Sequence, residues 1–208
     1  MEWCEKNCKG QIIATQINGP KELVERFTYA PAGQKSAVTT SWQKEQWKLA
    51  GMMKRWDECL PLVFDRRDAV REARLLREVF PKNPGKKPIM LLALNGNSSP
   101  FKHKALLKHL LTTTFKDTWR IVEIPQAARL YDLLALYEKA SLLVATDSAP
   151  LHLAWAVRSL PVIALANDKP LLWNGSSWRP NMVWYCRYGD WLARWQEMLN
   201  VIEACPTH

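Results

Sequence analysis

The sequence predicts an α/β fold, with a doubly wound parallel sheet in the carboxy-terminal part of the chain. Three observations support this fold class. From residue 89 onwards, short apolar runs alternate with amphipathic segments of helical period. Three prolines and a glycine in residues 80–88 separate this regular part from what precedes it. No apolar run reaches the roughly 18 residues of a membrane span. Such alternation is typical of buried parallel strands covered by helices on both faces.

The alternation predicts each element of this part in turn. Buried strands are expected at residues 89–94, 119–124, 141–145 and 160–165. Helices are expected at residues 104–111, 129–140, 150–157 and 189–204. The pair Asn95 and Gly96 ends the first strand in a turn, and tryptophans 184, 191 and 195 are expected to fill the core.

The first 80 residues have a weaker pattern. It predicts a strand at residues 11–15, a helix at 41–51 and a long charged helix at 68–80. The apolar side of this last helix is expected to hold Val70, Ala73, Leu76 and Val79. Too few strands are indicated for a second complete domain. We therefore predict a short, incomplete amino-terminal region with an interdomain helix at residues 1–80, and an α/β domain at residues 88–208.

Composition restricts the partners and the location. The net charge of +9 and the pI of about 9.4 favour anionic partners such as nucleotide phosphates, acidic glycans, anionic membranes or nucleic acid. The basic residues of segment 65–77 alternate with acids, as on a solvated helix face, which argues against nucleic acid. The five cysteines are scattered, and the amino terminus lacks a signal peptide's apolar segment. We expect reduced thiols, no metal site and a cytoplasmic location.

The turn after the third predicted strand is the candidate site. Asp147 and Ser148 are both good helix N-caps, and Pro150 suits a first helical turn. Ligands of open α/β sheets lie beyond the carboxyl ends of the strands, and the amides at a helix start attract anions. His152 is then placed to donate to a phosphate oxygen. On local chemistry alone an alternative stays open, in which Asp147 and Ser148 only cap the helix and His152 packs inside.

The wider pattern resembles glycosyltransferase family 9, which contains the heptosyltransferases of lipopolysaccharide assembly. The segment Asp-Ser-Ala-Pro-Leu-His-Leu-Ala at residues 147–154 and the Pro-Val strand after it are similar to the family's signature. Residues 131–144 and the small-polar loop at 95–102 are similar to the segments before it. The family usually has glycine where this chain has Ala149. The resemblance covers roughly residues 88–180.

This resemblance implies a Rossmann-like domain, the carboxy-terminal half of a GT-B enzyme, that binds a nucleotide-diphosphate sugar. By the resemblance, the turn after the third strand and the loop after the first would meet the phosphates through Ser98, Ser99, Lys102, Asp147, Ser148, Ala149 and His152. Asp147 would organise its turn. Lys102 would offset the charge of the departing nucleoside diphosphate. The alternative for Lys102 is a solvated lysine ahead of a basic helix.

The leading hypothesis is transfer of a sugar from a nucleotide donor to a glycan or lipopolysaccharide-like acceptor. These loops carry no Asp-x-Asp motif, so the resemblance implies no metal and no cofactor beyond the donor itself. The catalytic base is unassigned, and a second chain is one possible source of an amino-terminal domain. Trp173 and Trp178 are candidate stacking contacts for a sugar or base. The alternatives are a non-catalytic nucleotide or sugar-phosphate binding module and a basic nucleic-acid-binding protein.

Overall fold

The computed structural model describes residues 53–55, 63–64, 67–81, 86–97, 99–167 and 181–205. The predicted strand at 11–15 and helix at 41–51 lie outside these residues, as do Trp173 and Trp178. Contacts between Cα atoms divide the chain into two units, Met1–Leu60 with Pro170–Gly175 and Pro61–Lys169 with Ser176–His208. Met53–Arg55 forms a 3₁₀ turn in the first unit. All other described elements belong to the second.

The second unit alternates strands with helices. The strands are β1 (Ile89–Ala93), β2 (Arg120–Glu123), β3 (Leu142–Thr146), β4 (Val162–Ala166) and β5 (Met182–Arg187). The helices are α1 (Ala69–Val79), α2 (Lys104–Phe115), α3 (Leu134–Lys139), α4 (Ala149–Leu153) and α5 (Trp195–Ala204). Two 3₁₀ turns, Leu130–Leu133 and Ala154–Ala156, precede α3 and follow α4.

The strands form one parallel sheet in the order β2-β1-β3-β4-β5. The chain passes from β1 to β2 in one direction along the sheet, and from β2 to β3 and β4 in the other. Because parallel crossovers are right-handed, α2 and α4 leave the sheet on opposite faces. The strand order is that of a doubly wound sheet whose switch point lies between β1 and β3. The predicted fold class is confirmed.

Two apolar layers enclose the sheet. On one face, α2 and α5 pack on the strands through residues that include Leu107, Leu111, Met198 and Ile202. On the other face, α1, α3 and α4 pack through residues that include Leu75, Leu136, Leu151 and Leu153. Every residue of β1, β3 and β4 is buried, so each of these strands is a continuous apolar run. Trp184 and Trp191 are buried and Trp195 packs against the same layer, as expected.

Three predicted helices are shorter or less regular than expected. The expected helix at 150–157 is the five-residue α4 followed by a 3₁₀ turn. The expected helix at 129–140 begins as a 3₁₀ turn, and that at 189–204 becomes α-helical only at Trp195. Strand β5, at the edge of the sheet, is not among the predicted elements, although residues 182–186 form an apolar run that ends at the exposed Arg187.

The buried side of α1 agrees with its prediction only in part, since Leu76 and Val79 pack against the core as expected. Val70 is 77% exposed and Ala73 is exposed, while Glu72 and Leu75 are buried. Glu72 is tolerated in this position because the guanidinium of Arg67 donates to its carboxylate. The same guanidinium donates to Glu138 of α3 and holds the pKa of that carboxyl below its usual range.

Helix α1 begins at a side-chain cap. Asp68 Oδ1 accepts hydrogen bonds from the amides of Val70 and Arg71, both at 3.1 Å. Together with the Arg67 contacts, this cap anchors α1 on the face that carries α3. The assignment of residues 1–80 to a partial amino-terminal region stays a prediction, since most of that segment lies outside the described part of the chain.

Within the described ranges no helix combines the length and hydropathy needed to cross a bilayer. Cys186 and Cys205 are free and buried, and burial raises the pKa of both thiols.

Asn181 holds the end of the α4 segment against the start of β5. Its side-chain amide is buried and donates to the carbonyl oxygens of Ala154, Val157 and Leu160 at 3.1, 3.2 and 3.0 Å. The backbone carbonyl of Asn181 accepts a hydrogen bond from the amide of Val162 at 2.8 Å. One side-chain amide therefore ties three carbonyl groups together, of which those of Ala154 and Val157 also accept from backbone amides.

Replacement of Asn181 by alanine is expected to lower the free energy of unfolding by about 1–3 kcal/mol, since buried hydrogen bonds are lost and the carbonyl of Leu160 loses its donor. Urea denaturation measures the change. The control is Asn200→Ala on α5, which removes an exposed hydrogen bond from Gln196 and should cost less than about 0.5 kcal/mol. Equal losses of unfolding free energy in the two variants would show that the hydrogen bonds of Asn181 stabilise the fold no more than an exposed hydrogen bond does.

Candidate functional site

The loop after β1 touches the turn after β3 at the switch point of the sheet. They lie against each other at Gly96, where an added Cβ would lie 3.1 Å from the carbonyl oxygen of Ser99 and 3.3 Å from that of Asp147. It would also lie 3.4 Å from Cβ of Ser148. Glycine permits this approach because it has no side chain to place between the two backbones. The loop and the turn therefore form one continuous surface at the carboxyl edge of the sheet.

Tyr188, directly after β5, bonds to the same loop and the same turn. Its hydroxyl donates to the carbonyl oxygen of Ser99 at 3.0 Å and accepts from the amide of Asp147 at 3.2 Å. The Ser99 hydroxyl lies 3.4 Å away as a further donor. Burial raises the pKa of Tyr188, which keeps its donor proton in place at neutral pH. Its ring packs 4.9 Å from that of Phe101.

The carboxylate of Asp147 faces two side chains. Asn167, just after β4, donates to Oδ2 at 3.0 Å, and Nε2 of His152 lies 3.8 Å from Oδ1. The side chain of Asp147 is 14% exposed and that of His152 is 41% exposed. His152 therefore lies at the surface beside a carboxylate, and the alternative in which it packs inside the protein does not fit.

Ser148 occupies the N-cap position of α4 without capping the helix through its side chain. Its buried hydroxyl instead donates to the carbonyl oxygen of Thr146 at 3.0 Å. The helix itself has five residues and includes Pro150, so its dipole is small and one of its first amides is missing. The start of α4 is therefore a weaker anion site than expected, and the positive charge of the site comes from side chains.

An open cleft of about 460 Å³ provides such charge on the β1–α2 side. It is lined by Leu94, Asn95, Gly96, Asn97, Pro100, Phe101, Lys102 and Lys104. The ammonium group of Lys104 donates to the side chain of Asn95 at 2.8 Å. Lys102 is exposed and makes no hydrogen bond or ion pair with any residue that the structure describes. The cleft has the size of a small-molecule site and contains two cations.

A second cleft, of about 390 Å³, lies between α1 and the segment that follows β2. Its lining comprises Arg71, Arg74, Leu75, Glu78, Gln126, Ala127, Ala128 and Asp132. Arg74 pairs with Glu78 at 2.8 Å, and Asp132 accepts from Arg129. Because these charges compensate one another, the second cleft is a poorer site for an anion.

The structure places the predicted site residues on two segments that touch. Tyr188 links Ser99 to Asp147, Ser148 lies against Gly96, and Lys102 lines the cleft beside them. Ala149 is the exposed first residue of α4. Ser98 lies outside the described residues. The hydroxyls of Ser99 and Ser148 are buried and directed to protein acceptors, so their phosphate-binding roles remain predictions.

Sequence reasoning misses three residues of this site. Gly96 is recognised only as a turn residue, although it is what lets the two segments meet. Asn167 and Tyr188 are 20 and 41 residues from Asp147 in the chain, and no periodic pattern connects them with it. Across the described residues, no group of three or more His, Cys, Asp or Glu side chains is placed to hold a metal ion.

The strand order and the cleft beside the switch point define a doubly wound α/β domain with a candidate ligand site between β1 and β3. Residues 97–189 match the family model of glycosyltransferase family 9 (heptosyltransferase). This segment begins in the β1–α2 loop and ends one residue after Tyr188. This part of the chain, a little under half of it, is therefore similar to glycosyltransferase family 9, which confirms the resemblance found in the sequence.

The fold is also similar to the crystal structure of the glycosyl transferase family 9 from Veillonella parvula DSM 2008. The TM-score is 0.55 and the sequence identity 11%, and the match covers 80% of this chain and 54% of the other. This chain thus spans about half the length of that protein. At this identity the similarity supports the fold. No curated protein sequence matches the chain.

The change Gly96→Ala is expected to lower the free energy of unfolding by about 1 kcal/mol. Two backbone oxygens must yield to the new methyl group, at about 1–3 kcal/mol, against about 0.4–1 kcal/mol gained from a stiffer unfolded chain. In amide NMR spectra, the resonances of Asp147 and Ser148 should shift.

The control for this change is Asn97→Ala. Asn97 is exposed in the same loop, and its side chain forms no hydrogen bond within the described residues. Unfolding free energy and the Asp147 resonance should stay as in the unaltered protein. A Gly96→Ala protein that is equally stable and leaves the Asp147 and Ser148 resonances in place would contradict the close contact.

Proposed function

We propose that the surface formed by the β1–α2 loop and the β3–α4 turn binds the diphosphate of a nucleotide sugar, and that the chain transfers this sugar to a glycan acceptor, as a heptosyltransferase-like enzyme does. The observation that carries the proposal is the meeting of Lys102's loop with the turn of Asp147 and His152. Both lie within the residues that match the glycosyltransferase family.

The electrostatics of the site support a diphosphate ligand. Breaking the bond between sugar and nucleotide leaves negative charge on the leaving diphosphate, which fixed positive groups stabilise. Lys102 has no competing partner among the described residues, and His152 is held beside Asp147 at 3.8 Å. Lys102 would supply positive charge and His152 a hydrogen-bond donor, in place of the charge that a metal ion supplies elsewhere. We therefore propose transfer without a metal or other cofactor, with the nucleotide sugar as donor substrate.

We infer a GT-B arrangement in which this α/β unit is the donor-binding half. In such an arrangement the glycan or lipopolysaccharide-like acceptor and the catalytic base belong to the other half. Asp147 is a poor candidate for that base, because its carboxylate already accepts from Asn167 and faces His152. The base would come from residues 1–60 or from a second chain. A cytoplasmic location, where nucleotide sugars are made, belongs to the same proposal.

A second candidate function is nucleotide or sugar-phosphate binding without transfer. It is motivated by the lack of an assigned catalytic base among the described residues. Incubation with nucleotide sugars, with and without EDTA, separates the two functions. Release of nucleoside diphosphate that survives EDTA supports metal-independent transfer or hydrolysis. Tight binding with no release supports the binding module.

Calorimetric titration of the full chain with ADP, UDP, GDP and CDP is expected to show binding of one nucleotide. Lys102→Ala should weaken it about tenfold and His152→Ala at least about fivefold, since each removes a charge-assisted hydrogen bond to phosphate. The matched controls, Lys139→Ala and His109→Ala, remove exposed side chains from α3 and α2 and should bind as the unaltered protein does. No detectable binding of any of the four nucleotides would argue against the site. Equal loss of affinity in the site variants and the control variants would argue against it too.

A further inference from the structure

A single hydroxyl group joins segments of the candidate site that are far apart in the sequence. Tyr188 Oη bonds to the backbone of Ser99, 89 residues away, and to that of Asp147, 41 residues away. Its distances to the Ser99 carbonyl and the Asp147 amide are 3.0 and 3.2 Å. All bonding capacity of the hydroxyl is therefore used between the β1–α2 loop and the β3–α4 turn.

We propose that Tyr188 is a positioning residue of the phosphate site, which holds the loop of Lys102 at a fixed separation from the turn of Asp147 and His152. The inference rests on the proposed function. Tyr188 is not among the residues that line the cleft, so it acts through its neighbours. Its hydroxyl fixes Ser99, and its ring contacts Phe101, the residue before Lys102.

The bond to Asp147 has a second consequence. Because the Asp147 amide donates to Tyr188, this part of the turn is fixed by the protein rather than by a ligand. The Asp147 carboxylate is fixed in turn by Asn167, and it faces His152. Removal of the Tyr188 hydroxyl would free both segments, and a diphosphate would then have to order them as it binds. Such ordering weakens affinity without the loss of any direct contact.

The substitution Tyr188→Phe tests the proposal, because it removes the hydroxyl and keeps the ring. In the nucleotide-free protein, hydrogen exchange at the Asp147 amide should become at least about tenfold faster, while Leu143 and Ile163 amides in the buried sheet keep their protection. The Kd of the nucleotide that the unaltered protein binds should rise about five- to twentyfold. The control Tyr131→Phe removes a hydroxyl with no hydrogen bond among the described residues and should change neither value.

The possible outcomes separate the positioning role from the function itself. Unchanged nucleotide affinity in Tyr188→Phe, with binding intact in the unaltered protein, overturns the positioning role alone. Faster exchange throughout the sheet overturns it too, because the hydroxyl would then support the whole fold. No nucleotide binding by the unaltered protein counts against the proposed function, and exchange at Asp147 still reports whether the hydroxyl fixes the turn.

Discussion

Gly96 lies against the backbone of Asp147 and Ser148 where β1 and β3 send the chain to opposite faces of the sheet. Divergence alone would leave a gap between the loop and the turn. Because Gly96 has no side chain, the loop can pack directly against the turn, and the hydroxyl of Tyr188 bonds to both. Lys102 and His152 therefore lie at the same edge of the sheet. The candidate site depends on this contact, because Lys102 and His152 lie on different segments.

The sheet beneath the contact is built to keep it in place. Strands β1, β3 and β4 are buried along their whole length, with helices packed on both faces. At the carboxyl ends of β1 and β3, the hydroxyl of Thr146 donates to the carbonyl of Ala93 at 3.2 Å in a fully buried position. A buried hydrogen bond of this kind fixes the exit points of both strands. The loops then start from rigid ends.

The central strands could be predicted from the sequence because their whole length is buried. Strands β1, β3 and β4 are continuous apolar runs, and the turn at Asp147 combines strand, cap residues and proline in a recognisable order. Strand β5 is an apolar run of five residues followed by Arg187, and its burial varies from residue to residue because it lies at the edge of the sheet, so it differs from the fully buried strands. The prediction for α1 is wrong at Val70 and Ala73, because the helix buries Glu72 instead, which pairs with Arg67. Contacts of this kind, like that of Tyr188 with Asp147, join residues without a shared period.

The most direct test of the central claim is the set of backbone amide resonances that move when a nucleoside diphosphate binds to the full chain. The account predicts the largest shifts in two segments, residues 95–104 and 147–152, at the same nucleotide concentration. Shifts in only one of these segments would contradict the joint site. Shifts centred on Gln126 and Asp132, in the cleft beside α1, would place the nucleotide elsewhere on the domain and overturn the account.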